Sequence, residues 1–332
     1  MLKLLFLVLL VSCTNVIYTP YEEYFSAEPS YIRQPIFTQN LHTTHIGEHS
    51  EYVQIGTFQN VNSNYVIPHG IYALNMHLNN FEEILFLEII SAGKTPLIEI
   101  SPSNILMPFL YNKEKIETFA RNLGVFNVNT FIKFFPNARN NNFDELEYIN
   151  FFRFAREIFS NYSPRSIFIW SIFENDVLDS HEFFPGPQYV DWIGITQKAY
   201  LTYDRTHRKG LEERFTFFYH NYFPLPILVT FGVSHFSTHN HSYHVIEASK
   251  ILKNHYDFLL NFPRVRAILY SESNSLRRED NFSLIQSDVV LSTYNEIILD
   301  ERITRKAFSS LGGEEVLVRV RTPYYEIEML EN

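Results

Sequence analysis

Acidic side chains stand at or directly after short apolar runs, where a strand would pass into a loop. Glu99 closes one such run, Glu174 and Asp176 follow a second, and Glu272 follows a third. Carboxyl groups in this position can serve as general acids, general bases or nucleophiles. Solvated loop acids are the simpler interpretation of all four, so the pattern names candidates and does not by itself define a site.

Histidines form a second group that could carry chemistry. The four are His235, His239, His241 and His244. A His pair at helical spacing can bind zinc. No His-Glu-x-x-His motif occurs, however, and Asn240 and Ser242 are residue types typical of helix N-caps. The sequence also has no phosphate loop, dinucleotide fingerprint or Ser-His-Asp elbow. We therefore expect neither a metal nor a cofactor, and we expect His235, just past a predicted strand, to face a cleft.

The apolar pattern predicts the scaffold that would bring these residues together. The eight predicted strands are Tyr52–Phe58, Gly70–Asn75, Pro96–Ser101, Thr130–Phe135, Ile167–Ser171, Val190–Thr196, Pro226–Phe231 and Val265–Ser271. Helical spacing of apolar residues predicts helices at Lys113–Leu123, Asp144–Phe159 and Tyr243–Leu260. This alternation predicts a single-domain (β/α)8 barrel over residues 51–310, with its chemistry at the C-terminal ends of the strands.

Composition excludes some classes of function. The chain has 332 residues, of which 45% are hydrophobic, enough for a sizeable core. The formal net charge of -10 argues against a nucleic-acid partner, which would require a basic face.

The N-terminus predicts a membrane anchor. A positive start at Lys3 precedes an apolar run from Leu4 to Val11 that is too short to span a bilayer. The run ends in Leu-Val-Ser-Cys at residues 10–13, which is similar to a bacterial lipobox, where the chain is cut before a lipidated cysteine. Cys13 is the only cysteine, so no intrachain disulfide can form.

The predicted signal segment is therefore residues 1–13, with Cys13 as the acylated (diacylglycerol and palmitate) first residue of a lipoprotein in the bacterial cell envelope, facing outside the cytoplasm. A plain cleaved signal peptide is the alternative. Residues 14–50 are predicted to form a tether, and residues 311–332 a C-terminal extension. Within that extension, alternation from Glu314 to Ile327 predicts an added strand or hairpin.

One stretch carries a family resemblance. Trp170-Ser171 ends a predicted strand, and a loop leads into FPGPQYVDWIGI at residues 184–195. This order resembles the retaining β-mannanases of glycoside hydrolase family 26. The seventh predicted strand, in PILVTFGVSH at residues 226–235, and the eighth are similar to that family as well. The resemblance covers about residues 50–300 and implies a glycosidase barrel.

The resemblance also implies two catalytic glutamates, and both are replaced here. Asn137 stands where the family has its general acid/base after the fourth strand, and Thr230 stands at the nucleophile position on the seventh. An amide has no proton to give at neutral pH, and a lone hydroxyl is a weak nucleophile. We therefore expect a barrel that binds a carbohydrate or another partner without hydrolysing it.

The expected ligand is a polysaccharide or oligosaccharide of mannan-like type. The predicted carbohydrate-binding residues are Lys133, Asn137, Trp170, Thr230, His235 and Glu272. Among them, Trp170 is expected to offer its ring face to a sugar. Two alternatives stay open: an active β-glycan hydrolase that uses Glu272, Glu174 or Glu99, and a purely structural barrel with a filled cleft.

Overall fold

The computed structural model describes residues 53–58, 69–101, 113–136, 138, 143–201, 205–272, 278–304, 318–321 and 326–329. The signal segment with Cys13, the predicted tether and Asn137 lie outside these residues.

Eight parallel strands form a closed barrel. They are β1 (Val53–Phe58), β2 (Ile71–Met76), β3 (Thr95–Ile100), β4 (Thr130–Phe134), β5 (Ser166–Phe173), β6 (Trp192–Ala199), β7 (Ile227–Val233) and β8 (Val265–Ser271). Each strand pairs with the next along the chain, and β1 closes the barrel by pairing with β8. Every predicted strand is present, with its ends within three residues of the predicted ones, so the predicted (β/α)8 barrel is confirmed.

Six α-helices of the described residues alternate with these strands. They are α1 (Glu83–Ser91), α2 (Lys113–Gly124), α3 (Glu145–Tyr162), α4 (Arg205–Asn221), α5 (Val245–Leu259) and α6 (Asp288–Ile297). The three predicted helices are α2, α3 and α5. Asp144 begins α3 by accepting hydrogen bonds from the backbone N–H groups of Leu146 and Glu147, at 3.1 Å each.

The predicted caps of α5 are wrong. His244 precedes the helix, and no side chain caps it. Asn240 and Ser242 instead bond to the His244 ring, with distances to its Nε2 of 2.7 and 2.9 Å. Local hydrogen bonding to a neighbouring side chain has replaced hydrogen bonding to the helix.

Two apolar layers hold the barrel. Ten side chains fill its interior: Ile71, Ala73, Leu97, Phe131, Ile167, Ile169, Trp192, Leu228, Ala267 and Leu269. The alternate residues of the same strands face outward and pack against the helices, as Ile98, Phe134, Phe168 and Val229 do. Because both faces of these strands are buried, their sequences are almost continuously apolar.

Hydrogen bonds and packing account for the stretch between β5 and β6. Asp191 accepts a hydrogen bond from Phe168 N at 2.8 Å and one from Arg156 Nη2 at 3.1 Å. Trp192 follows it into the barrel interior, where its ring meets Phe131 edge-on at 5.1 Å. Burial raises the pKa of Asp191, while Arg156 and the Phe168 N–H oppose that rise.

The turn before Asp191 is held in the same way. Gly186 has φ of 97°, a conformation that favours glycine. Arg153 Nε of α3 donates to the neighbouring Pro185 carbonyl at 2.7 Å. The motif that carries the family resemblance thus fastens α3 to the β5–β6 connection.

Two short strands lie at the C-terminal end. Val318–Arg321 pairs antiparallel with Glu326–Met329, in the stretch where the sequence predicts an added strand or hairpin. Ile303–Thr304 pairs with the start of β1 beside the barrel. Within the described ranges, no helix combines the length and apolar character needed to cross a bilayer.

Candidate functional site

Along the inward face of the strands, apolar residues are followed by polar ones at the C-terminal ends. Along β3 the inward residues run from Leu97 to Glu99, and along β4 from Phe131 to Lys133. Glu99 and Lys133 are register partners. Because all strands are parallel, such residues meet at one end of the barrel, which we call the barrel mouth.

The centre of the barrel mouth is a hydrogen bond between Lys133 and Thr230. Lys133 Nζ donates to Thr230 Oγ1 at 2.9 Å, across the barrel from β4 to β7. Lys133 is 1% exposed and Thr230 is 3% exposed. The two predicted residues do meet, but they bond to each other and are closed to solvent.

Glu99 completes this centre from β3. Its Oε2 lies 3.9 Å from Lys133 Nζ, and its side chain is 22% exposed. Burial raises the pKa of Glu99, opposed by the charges of Lys133 and Lys198. Burial likewise lowers the pKa of Lys133, opposed by the charge of Glu99. The ion pair therefore offsets part of what burial costs each charged group.

One part of the barrel mouth is accessible. Its exposed or partly exposed side chains, which we call the open side, are Asn75, Glu99, Phe173, Thr196, Lys198 and Tyr200. Lys198 Nζ lies over the rings of Phe173 and Phe282, 5.9 and 5.4 Å from their centroids. Sequence reasoning missed all of these except Glu99, although Lys198 continues the inward alternation of Trp192 and Thr196.

Phe282, from the loop after β8, covers another part. It is fully buried, and its ring packs edge-on against Tyr200. A Cβ added to Gly232 of β7 would lie 3.3 Å from the Phe282 ring and 3.2 Å from Ser271 Cβ. The backbone of β7 thus approaches the covering ring closely, just beyond Thr230.

The remaining candidate carboxylates differ in their surroundings. Glu174 follows β5 and is buried; burial raises its pKa to about 6, against opposing hydrogen bonds from its own backbone and that of Lys198. Glu272 is partly buried, and its Oε1 accepts the Leu284 N–H at 3.0 Å. Burial also raises the pKa of Glu272. Glu272 therefore anchors the loop that carries Phe282.

The expectation that Trp170 offers a ring face to a sugar is wrong. Its neighbours Ile169 and Ser171 share the opposite, inward face of β5, so Trp170 points into the helix layer. It is 1% exposed and packs against Phe184 and Tyr222 with ring centroids 5.0 and 5.1 Å away.

The histidines do not converge on one point. His235 is buried, and burial lowers its pKa to about 4, so its ring is neutral near pH 7. Its carbonyl accepts the His244 N–H at 2.8 Å, but no hydrogen bond joins its ring to Lys133 or Thr230. Among the described residues, no group of three or more His, Cys, Asp or Glu could hold a metal ion.

Asn137 lies outside the described residues, so its predicted role stays a prediction. The turn that leads to it is unusual, because Phe135 has φ of 46° although it is neither Gly nor Asn. The Phe135 ring stacks on Phe134 at 4.6 Å, and Pro136 is buried.

No protein-family model matches the chain, and no curated protein matches its sequence.

The fold of the chain is similar to that of solved glycosidases. A β-mannanase of glycoside hydrolase family 26 from Bacteroides ovatus matches with a TM-score of 0.57 and 10% identity, over 82% of this chain and 95% of that one. A modular endo-β-1,4-mannanase from Cellulomonas fimi matches with a TM-score of 0.61 and 12% identity, over 84% and 77%. A family 26 protein from a Muricauda species matches with a TM-score of 0.59 and 10% identity, over 81% and 90%. At this identity the likeness concerns the fold: the chain is a (β/α)8 barrel like those of glycoside hydrolase family 26.

Proposed function

We propose that this chain is a glycosidase-like barrel that binds a glycan at its open side and does not hydrolyse it. One observation carries the proposal: Lys133 Nζ donates to Thr230 Oγ1 at 2.9 Å, where the family resemblance implies the catalytic nucleophile. Retaining hydrolysis needs two carboxyl groups about 5 to 5.5 Å apart. A buried ammonium–hydroxyl pair cannot replace a carboxylate nucleophile.

Thr230 is also poorly placed to act as a nucleophile itself. Its hydroxyl oxygen accepts a hydrogen bond from Lys133, and both side chains are closed to solvent. Glu99 lies 3.9 Å from Lys133 Nζ, so the amine of Lys133 already has two partners, Thr230 and Glu99. A substrate would have to displace these contacts before chemistry could start.

The open side supports glycan binding. It offers an amide, a carboxylate, a hydroxyl, an ammonium and two partly exposed aromatic rings, on or just after β2, β3, β5 and β6. Proteins hold sugar hydroxyls and ring faces with such groups. The similar solved structures include β-mannanases. A mannan-like or related β-glycan is therefore the ligand that we propose.

The test is a hydrolysis assay paired with calorimetric titration, using manno-oligosaccharides, mixed-linkage glucan oligosaccharides and xylo-oligosaccharides. We expect binding without product formation. Restoring both carboxylates with Asn137→Glu and Thr230→Glu should give little rescue, since Lys133 would then neutralise the new glutamate. Robust turnover by the wild type would contradict the proposal.

A second candidate is a β-glycan hydrolase with recruited carboxylates. Glu174 favours it, because a carboxyl group whose pKa lies near 6 suits a general acid. Glu99 or Glu272 would then be the partner. Turnover that survives Thr230→Ala but is lost with Glu174→Gln or Glu272→Gln would establish this alternative.

We also propose that a lipid on Cys13 anchors the protein to a bacterial membrane, with the barrel facing outside the cytoplasm. The lipobox-like Leu-Val-Ser-Cys order supports this. Cys13→Ser should move the protein from the membrane fraction to the soluble fraction. A Ser variant that still sediments with membranes and is released by detergent would refute the anchor.

A further inference from the structure

The ring of Phe282 covers the part of the barrel mouth that β7 forms. On β7 the inward residues run from Leu228 through Thr230 to Gly232. A Cβ added to Gly232 would lie 3.3 Å from the Phe282 ring, which is fully buried. Because Gly232 has no side chain, the ring fits against the backbone there, one inward position beyond Thr230.

Contacts from two sides hold this ring in place. From β6, Lys198 Nζ lies 5.4 Å from the ring centroid, and the Tyr200 ring meets it edge-on at 5.8 Å. From the end of β8, Glu272 Oε1 accepts the N–H of Leu284, two residues after Phe282, at 3.0 Å. The ring therefore forms a fixed wall across this part of the barrel mouth.

The wall meets the open side at Lys198. Lys198 is the register partner of Gly232, so its side chain stands next to the covered position. Its Nζ also lies 5.9 Å from the centroid of the partly exposed Phe173 ring, on the side of β5. One neighbouring ring of this ammonium is thus accessible to a ligand, and the other is the buried Phe282 ring.

The other end of the open side faces solvent. Asn75 on β2 is exposed, and the side chain of Glu99 on β3 is 22% exposed. In the closed eight-strand order, β3 lies opposite β7. A ligand that lies across the open side from β2 and β3 to β6 can therefore continue past Asn75 into solvent, but in the direction of β7 it meets Phe282.

This asymmetry distinguishes two parts of a glycan chain. An internal unit is linked to sugars on both sides, so the chain has to leave the site in two directions. A terminal unit is linked on one side only, and a site that is closed in one direction accommodates it.

We propose that Phe282 closes one end of the glycan site, so that the barrel binds the terminal unit of a glycan chain and not its internal units. This inference rests on the proposed glycan binding and adds which part of the chain is recognised. The terminal unit lies beside the Phe173 ring, and the ammonium of Lys198 donates hydrogen bonds to its hydroxyls.

The test is calorimetric titration of the full chain with manno-oligosaccharides and soluble glucomannan fractions of known and increasing chain length. The measured quantity is the number of protein molecules bound per glycan chain. For the wild type we expect the same number at every length, because lengthening a chain adds no ends. Phe282→Ala removes the wall, and the number bound should then rise in proportion to chain length.

The matched control is Phe215→Ala on α4. Phe215 is also fully buried, and it packs in the helix layer against Phe258 and Phe262 with ring centroids 5.8 and 4.9 Å away. Its loss should leave the number bound per chain independent of length. Phe282→Leu, which shortens the wall and keeps an apolar side chain, replaces Phe282→Ala if the alanine variant does not fold.

The outcomes separate this inference from the proposed function. A number bound that already rises with chain length in the wild type would overturn the inference and leave glycan binding intact. A number that stays constant in both the wild type and a folded Phe282 variant would overturn the role of Phe282. No binding of any of these glycans by the wild type would overturn both proposals.

Discussion

Two regions of this barrel resemble the same enzyme family in different ways. Between β5 and β6, the resembling residues have structural partners: Asp191 bonds to Arg156 and to the Phe168 N–H, and Trp192 fills the interior. At the barrel mouth, Lys133 bonds to Thr230, the residue at the position where the sequence resemblance implies a catalytic acid.

The difference separates what holds the fold from what performs a reaction. A buried carboxylate such as Asp191 supports the fold, because removing it leaves the charge of Arg156 unpaired. A catalytic carboxylate has no such structural role, and replacing it can leave the fold intact. A resemblance carried mostly by the β5–β6 stretch therefore predicts the fold but does not predict whether the protein catalyses a reaction.

The largest expected effect comes from a substitution in the β5–β6 stretch. Asp191→Ala should lower the free energy of unfolding by about 3–5 kcal/mol, because it leaves the buried Arg156 without its carboxylate. Urea denaturation measures the change. The matched control is Asp257→Ala, which breaks the exposed Lys253–Asp257 pair, 3.5 Å apart, and should cost less than about 1 kcal/mol. Similar losses in the two variants would show that the Asp191 contacts are not the support described here.

The second prediction concerns close packing in the same region. A Cβ at Gly194 would lie 2.9 Å from Ser171 Oγ and 3.1 Å from Ile169 Cγ2. Gly194→Ala should therefore destabilise the protein by about 1–3 kcal/mol. Gly210→Ala on α4, where the new methyl meets only the flexible Arg214 guanidinium, should instead stabilise it by about 0.5–1 kcal/mol. Thermal unfolding should move in opposite directions for the two variants.

Much of the scaffold could be predicted because its patterns are periodic. The eight strands are short apolar runs between turn residues, and α2, α3 and α5 each carry an apolar stripe. The helix α1 was harder to see, because apolar residues lie on both its faces: Ile84 is 76% exposed and Phe86 is fully buried. An exposed face that mixes Ile84 with the polar Glu88 and Ser91 weakens the amphipathic period.

The barrel mouth was only partly predictable, because the sequence does not show which of the alternating residues of a buried strand point inward. Strand-end placement correctly brought Lys133 and Thr230 together. It failed for Trp170, since a strand buried on both faces is apolar throughout and does not reveal which alternate residues point inward. Lys198 was missed although it continues the alternation of Trp192, because it lies beyond the predicted end of that strand.

The third prediction tests Glu174, which directly follows β5 at the barrel mouth. Burial raises its pKa to about 6 from the ordinary 4.5, so the folded protein keeps a proton that the unfolded chain releases within that interval. The resulting stability is fully present below pH 4.5 and is lost as the pH rises through 6, a loss of about 2 kcal/mol. Between pH 4 and pH 7, the wild type should lose about that much more unfolding free energy than Glu174→Gln, as measured in urea. Glu182→Gln, at an exposed acid nearby, should follow the wild type. Parallel pH profiles for the wild type and Glu174→Gln would refute the assignment.

The smallest expected effect probes the centre of the barrel mouth. Thr230→Val removes the hydroxyl that accepts from Lys133 and keeps the shape of the side chain. The cost should be about 1 kcal/mol, because the ion pair between Lys133 and Glu99 remains to hold the ammonium. Thr293→Val on the exposed face of α6 is the matched control and should change stability by less than about 0.5 kcal/mol.

Urea denaturation measures the stability of these variants, and a sensitive aryl-glycoside assay on the same samples measures hydrolysis. If Thr230 is part of a structural bond only, hydrolysis should stay at background in both the wild type and Thr230→Val. A wild-type rate above background that Thr230→Val abolishes would make Thr230 a nucleophile and would remove the contrast between the two regions.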